Sequence, residues 1–511
     1  MRQADTFLGA ALFACMSCGM AGAQQPLSAI DWLNDPGAPP LAAPRQPVQN
    51  EPPVSTGVTI PDVTVMPLEE AGHEAVGLLP PSVTGLPDTL WSASAASDIL
   101  PLWRDVAAEP LPAIQALYYT LLLAEAEPPQ GAKGAFLKAR VDALIRFGAV
   151  DPAQALLERA GPTTPLLFPA WFDLTLLSGD EVEACTALRD TPGLHPGYAA
   201  QIYCTALTGD WQTAFLLYDT AQALDVLPPT EAQLLAQFLD PEMAETAISL
   251  APVAQPSPLL FRLYEAVGTP LPTRNLPLAF ATADLRNTSG WKPELEAAER
   301  LVRTGALSEN RLLGLYTDQR PAASGGVWER VSAVQKFEAA LEARDVAAVT
   351  RTLPPVWRLM RAEHLEIPFA RLFSARLARL DLPPHAATLA FRILLLTSDY
   401  EEIANRAGAS RSALFLASVA RGAPDATLAS SGPERAIADA FATPISPALE
   451  HAQLLADGKL GEAILSAANQ ADQASGDLVD ITAALATLRA VGLEDTARRT
   501  ALQILILDRR E

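Results

Sequence analysis

The stretch "YCTALTGDWQTAFLLYDTA" (residues 203–221) contains the end of one helix, a glycine, and the start of another. Gly209 suits the left-handed position that closes a helix, and Asp210 beside it can cap the next one. After the turn, Trp211, Ala214, Phe215 and Tyr218 recur at i, i+3, i+4 and i+7, the signature of one apolar helical face.

Outward from there the same unit recurs. "ALIRFGAVDPAQALLERAG" (143–161), "LTLLSGDEVEACTAL" (174–188), "LVRTGALSENRLLGLY" (301–316), "LLADGKLGEAILSAA" (454–468) and "LRAVGLEDTARRTAL" (488–502) all place a glycine between two helical runs. Leu295, Ala298, Leu301 and Val302 repeat the helical spacing. Asp180 with Glu183, and Ser398 with Glu401, have capping-box spacing. The turns fall at Gly148, Gly179 and Gly209, steps of 31 and 30, and at Gly458 and Gly492, a step of 34. That period belongs to an array of helical hairpins. Between about 250 and 450 it is irregular, and "LPP" at 227–229, 353–355 and 382–384 predicts further helix breaks. The loop "TDQRPAASGGVW" (317–328) is the widest interior gap and a candidate hinge. No alternating strand pattern follows residue 90.

On these turns the chain resembles the tetratricopeptide-like helical-repeat proteins, and more loosely an exported alphaproteobacterial group of repeat proteins. "Gly-Asp-Trp-x-x-Ala" at 209–214 comes nearest to the tetratricopeptide consensus, which no single repeat meets in full. The resemblance implies an all-α, right-handed α-solenoid of helical hairpins with a concave binding surface, and says nothing of the ligand.

The N-terminus bears on compartment. "MRQADTFLGAALFACMSCGMAGAQQ" has a basic start, an apolar run from Phe7 to Met20 and a small-x-small end at Ala21-Gly22-Ala23. A cleavable signal peptide over 1–23 is expected; the run is shorter than the ~20 residues that span a bilayer. Residues 24–88 are a different polymer, with 13 prolines in 65 positions, and predict a disordered Pro-rich arm. Within it Ile30, Trp32 and Leu33 form a compact apolar cluster suited to docking on a partner. Two helical-repeat regions are expected to follow, at 89–320 and 327–511.

Cleavage would leave two cysteines, Cys185 and Cys204, equidistant from the centre of the turn "TPGLHPG" (191–197). In an antiparallel hairpin such residues face each other. Their spacing fits no zinc signature, so a structural disulfide is expected ahead of free thiols, a redox pair or a metal site.

With 37 basic and 59 acidic residues the net charge is −22, which disfavours nucleic-acid backbones. Only five of the basic residues are lysines, a usage that points to a GC-rich bacterial genome and hence a periplasm. No GxSxG, HExxH, P-loop or GxGxxG motif occurs, and the five histidines (73, 195, 364, 385 and 451) have no companions at ligand spacing. No catalytic residue, cofactor or metal is therefore expected. The expected function is a periplasmic scaffold or chaperone-like protein that binds another envelope protein, with no membrane span after signal cleavage. The alternatives are a structural component of an envelope complex and a cell-wall-active helical-toroid enzyme working through two carboxylates.

Overall fold

A computed structural model describes residues 74–507, with 192, 241, 243–249, 251 and 475 excepted. The expected leader, 1–23, and Ile30, Trp32 and Leu33 lie outside the described residues. The chain divides into two units, Met1–Asp62 and Val63–Glu511, and every described residue belongs to the second.

Among the described residues the structure is all-helical, with no strand and two isolated parallel bridges, Leu79–Ala124 and Ala95–Gln130. Consecutive helices pack as neighbours, as in Phe168–Ser178, Glu181–Asp190, Tyr198–Leu207 and Trp211–Ala223, or Val327–Glu342 with Val346–Arg361. The five turn glycines all have positive φ. At Gly148 space as well as φ demands glycine, because a Cβ would lie 2.6 Å from Leu301 Cδ2 and 2.8 Å from Leu278 Cγ. None of the described helices is long and apolar enough to cross a membrane.

Three local expectations are corrected. Asp180 precedes the Glu181–Asp190 helix but makes no capping bond, because its ψ of 24° is still turn-like. A side-chain cap is normally made from extended backbone, as at Ser257, Ser308, Ser410 and Ser431, whose hydroxyls each accept from the amide three residues on. Ser398 likewise bonds Asp399 instead of closing a box with Glu401, and the full capping box is Ser431 with Glu434. Second, "LPP" starts a helix at Pro229 and at Pro384, but Pro354 and Pro355 lie inside Val346–Arg361. There Val349, Leu353, Val356 and Met360 form a fully buried stripe. Its burial against neighbouring helices outweighs a proline penalty of about 3 kcal/mol.

Third, the Pro-rich arm does not stay apart from the body as far as residue 88. Leu79, Leu86, Leu90 and Trp91 are buried. The amides of Leu78 and Leu79 both donate to Leu123 O, and the Glu125 amide donates to Leu79 O. Arg140, 1% exposed, donates to the carbonyls of Val76 (2.7 Å), Leu122 (2.7 Å) and Ala124 (2.9 Å). Burial lowers its pKa to about 10. Prolines mark that segment, yet its Leu79 and Leu86 have a core to enter beside Leu90 and Trp91.

In an ideal solenoid each repeat touches only its neighbours. Here the first and last helices of the array are packed on each other. Leu460–Gln473 lies against Ala96–Arg104 and Pro112–Leu123, and Glu494–Leu507 also lies against Pro112–Leu123. The Pro112–Leu123 helix has no side-chain cap of its own. Its orphan amides are satisfied from far along the chain: Leu111 N donates to Asp472 Oδ1 and Ala113 N to Gln503 Oε1, both at 2.8 Å. Tyr118 donates to Asn469 Oδ1 (2.6 Å), and Asn469 Nδ2 donates to Leu102 O (2.9 Å). Gly461 is pressed so closely on Leu90 and Trp91 that a Cβ would meet both at 2.6 Å. A second return contact joins the middle of the array to its start, where Thr304 Oγ1 donates to Phe147 O at 2.7 Å.

The 317–328 loop, the candidate hinge, is spanned by a buried ionic network. Glu299 accepts from Tyr316 Oη (2.6 Å) and from Nε (2.8 Å) and Nη2 of Arg330. Arg330 Nη1 reaches Glu363 at 3.0 Å, and Arg303 also donates to Glu363. The rings of Trp291 and Trp328, from the two sides of the loop, lie 5.0 Å apart.

Candidate interaction surface

Cys185 and Cys204 are joined, with Cα atoms 4.9 Å apart and both side chains buried. The bond clamps the Glu181–Asp190 helix to Tyr198–Leu207 across the 191–197 turn. Among the described residues no three His, Cys, Asp or Glu side chains converge as metal ligands.

Beside the disulfide, Tyr203 donates to Glu181 Oε1 at 3.0 Å, and Arg262 donates to the same oxygen. Arg262 continues to Glu265 (2.7 Å), which accepts two bonds from Arg286 (2.6 and 2.7 Å). Burial first, then the Glu181 charge, raises the Tyr203 pKa and keeps its phenol protonated. Glu181 Oε2 is buried and accepts no hydrogen bond among the described residues. The hairpin is therefore fixed twice, covalently and through an ion network that ties it to the Pro258–Ala266 helix.

The next helix, Trp211–Ala223, rests on this base. Asp210 caps it, accepting from the Thr213 amide at 3.1 Å. Its contact stripe is Ala214, Leu217, Tyr218 and Ala221, with the two alanines fully buried. Trp211 and Phe215, which share the i, i+3, i+4, i+7 pattern, sit instead on the shoulder of that stripe, 45% and 41% exposed. The apolar arc of this helix is wider than the strip its neighbours cover. Leu216, Leu224 and Val226 are more than two-fifths exposed as well, and Tyr198 and Leu207 extend the exposed apolar set onto the preceding helix. Trp211 is no loose side chain: its ring lies 5.8 Å from Phe238, which stacks 5.4 Å from the buried Tyr203.

Charge separates this face from the rest of the molecule. From Asp190 to Phe261, 72 residues, there is no Lys or Arg, against eight Asp or Glu. The bounding cations are occupied, Arg189 by Asp190 and Arg262 by Glu181 and Glu265. A basic-free run of this length in a chain with 37 Lys and Arg is a sequence signal that helical periodicity does not capture.

Elsewhere, a groove of about 610 Å³ opens between Gly432–Ala440 and Leu478–Ala490, with Arg435, Asp439, Leu478 and Val479 on its walls. Leu449 beside it is 90% exposed. His195 lies in the hairpin turn, and His364 is a half-exposed residue 3.8 Å from Glu109. His451 is buried between Thr487 Oγ1 (2.8 Å) and Ser466 Oγ (3.2 Å), and burial lowers its pKa. It holds three helices together.

No protein-family model matches the chain, and no curated protein or solved structure matches it significantly.

Proposed function

We propose that the protein is an exported, periplasmic scaffold of the tetratricopeptide-like kind that binds another envelope protein. The observation that carries this reading is the half-exposed pair Trp211 and Phe215, one helical turn apart with exposed Leu216 next to Phe215 in the chain, mounted on a disulfide-clamped hairpin. Half-exposed aromatics on a rigid base are the side chains that dominate interface energy. The disulfide supports export, because such bonds persist in oxidising compartments, and the 1–23 leader supports the same route.

The test is site-specific photo-cross-linking in the periplasm. A photoreactive residue in place of Phe215 is expected to give a discrete adduct with one envelope protein, and the same residue at exposed Arg351 is expected to give none. Identical adduct patterns from the two positions sink the reading. Alanine at both Trp32 and Leu33 is expected to weaken recruitment of the same partner by at least ~2 kcal/mol, the scale of a hot-spot residue.

A further inference from the structure

Resting on that reading of the face as a binding surface, we propose that its occupant is a cationic amphipathic segment: apolar side chains along one side, Lys or Arg around them.

The apolar half of the argument is geometric. Trp211 and Phe215 stand one helical turn apart, 45% and 41% exposed, and the exposed Leu207 ends the helix that precedes them across the Gly209 turn. Two such anchors one turn apart suit side chains that repeat with helical spacing on a partner.

The electrostatic half is charge complementarity. Asp210 and Asp225 bracket the two ends of the Trp211–Ala223 helix, and Asp219 lies in angular order between Phe215 and Leu216. All three are exposed, and none of them is ion-paired with Lys or Arg among the described residues. No Lys or Arg between 190 and 261 offsets their charge along the chain. Their negative field steers and retains cations and rejects anions. A second copy of the chain would bring the same aspartates against themselves, in a molecule already at −22. An anionic lipid surface would be repelled for the same reason.

The probes are two synthetic helical peptides of about eighteen residues, with leucines at i, i+3, i+4 and i+7. The polar positions are lysine in one and glutamate in its twin. Full-length, disulfide-bonded protein is titrated into each, labelled, at low and high salt. The lysine peptide is expected to bind at least ~10-fold more tightly at low salt, with the advantage shrinking as salt screens it. Trp211→Ser with Phe215→Ser, and separately Asp219→Asn with Asp225→Asn, should each weaken the lysine peptide ~10-fold. Asp381→Asn, an exposed acid elsewhere, should leave it unchanged. Asparagine at 225 also tolerates that residue's φ of 52°, so the charge variant keeps its fold.

Equal affinity for the twins overturns the proposal, and so does undiminished binding by both face variants. A Phe215 cross-link to a second copy of the chain, or to an acidic segment of a partner, overturns it while leaving the binding-surface reading intact. Binding of the face to anionic vesicles in preference to the lysine peptide overturns it too. Absence of any Phe215-specific adduct, with the lysine peptide still bound selectively, removes the envelope-protein reading and leaves the chemical preference of the face standing.

Discussion

Two chains of the same five side chains hold this molecule, one built on Glu181 and one on Glu299. In each a tyrosine and an arginine converge on a buried glutamate, the arginine goes on to a second glutamate, and that glutamate takes another arginine. The series are Tyr203, Glu181, Arg262, Glu265, Arg286 and Tyr316, Glu299, Arg330, Glu363, Arg303. Their surroundings differ. Around Glu299 both carboxylate oxygens are engaged and Trp291 and Trp328 close on each other nearby. Around Glu181 one oxygen is unpartnered among the described residues, a disulfide is added, and the next helix keeps its aromatics half in solvent. The difference teaches that similar polar pins serve two ends here. One seals a junction across a loop; the other stiffens the base of an exposed face.

The largest contrast is expected from removing each central glutamate. Glu299→Ala leaves Arg330, 9% exposed at its side chain, without its main partner and should cost about 3–5 kcal/mol in a denaturant titration. Glu181→Ala should cost about half as much: each arginine keeps its second glutamate, but the Arg262 side chain is 21% exposed against 9% for Arg330, so water reaches the charge left behind. Equal losses would break the distinction between a sealed pin and a supporting one.

The disulfide comes next. Cys185 and Cys204 close a loop with a sequence separation of 19. In the chain-entropy model such a bond contributes about 3 kcal/mol. Serine at both positions should therefore lower the unfolding midpoint by roughly 3 °C, since the shift per kcal/mol falls as chain length grows. Protein isolated without reductant should show no reactive thiol from this pair, even after denaturation. Helical content at room temperature should be unchanged, while proteolysis should accelerate first near the 191–197 turn and not near 317–328. Faster cutting at the second loop would mean that the two regions are not separately stabilised.

Caps provide a smaller and sharper test. Asp210 accepts from Thr213 N, whereas Asp180, in the same position after a turn glycine, caps nothing. Asp210→Ala should cost about 1 kcal/mol and Asp180→Ala within about 0.5 kcal/mol of nothing. Sequence spacing ranks them the other way, because only Asp180 carries a glutamate three residues on. Backbone angle decides between them, and residue identity alone does not report it.

That example shows what was legible. Helical class, the glycine turns and the Cys185–Cys204 bond followed from short-range patterns, since helix period, left-handed glycine and hairpin symmetry are local properties. The packing of the first helices on the last did not follow, because Asp472 and Gln503 meet the 111–113 backbone across more than 350 residues. The docking of Val76 to Leu90 was hidden by prolines that composition assigns to an arm. The exposed face was half legible: the apolar pattern of Trp211 and Phe215 was plain, but which part of a wide apolar arc a neighbour covers is a tertiary fact. The missing cations from 190 to 261 were in plain view and carried the functional hint.

The two half-exposed rings are the most informative about the face. Trp211→Ser with Phe215→Ser removes two large side chains from a helix that the buried Ala214 and Ala221 already hold against its neighbour. Because each ring leaves more than two-fifths of its surface in water, the pair should cost only about 1 kcal/mol per ring. Trp328→Ser, which breaks the contact with Trp291 beside the Glu299 pin, should cost two to three times more per ring, roughly 2–3 kcal/mol. Parallel denaturant titrations of the two variants read the difference directly. If the Trp211 and Phe215 pair proves as costly per ring as Trp328, those rings belong to the core and the apolar face is a packing surface. If it stays near ~1 kcal/mol per ring while binding of the lysine peptide falls ~10-fold, the two rings are held out for a partner, since a side chain that contributes little to its own fold gains most from being covered.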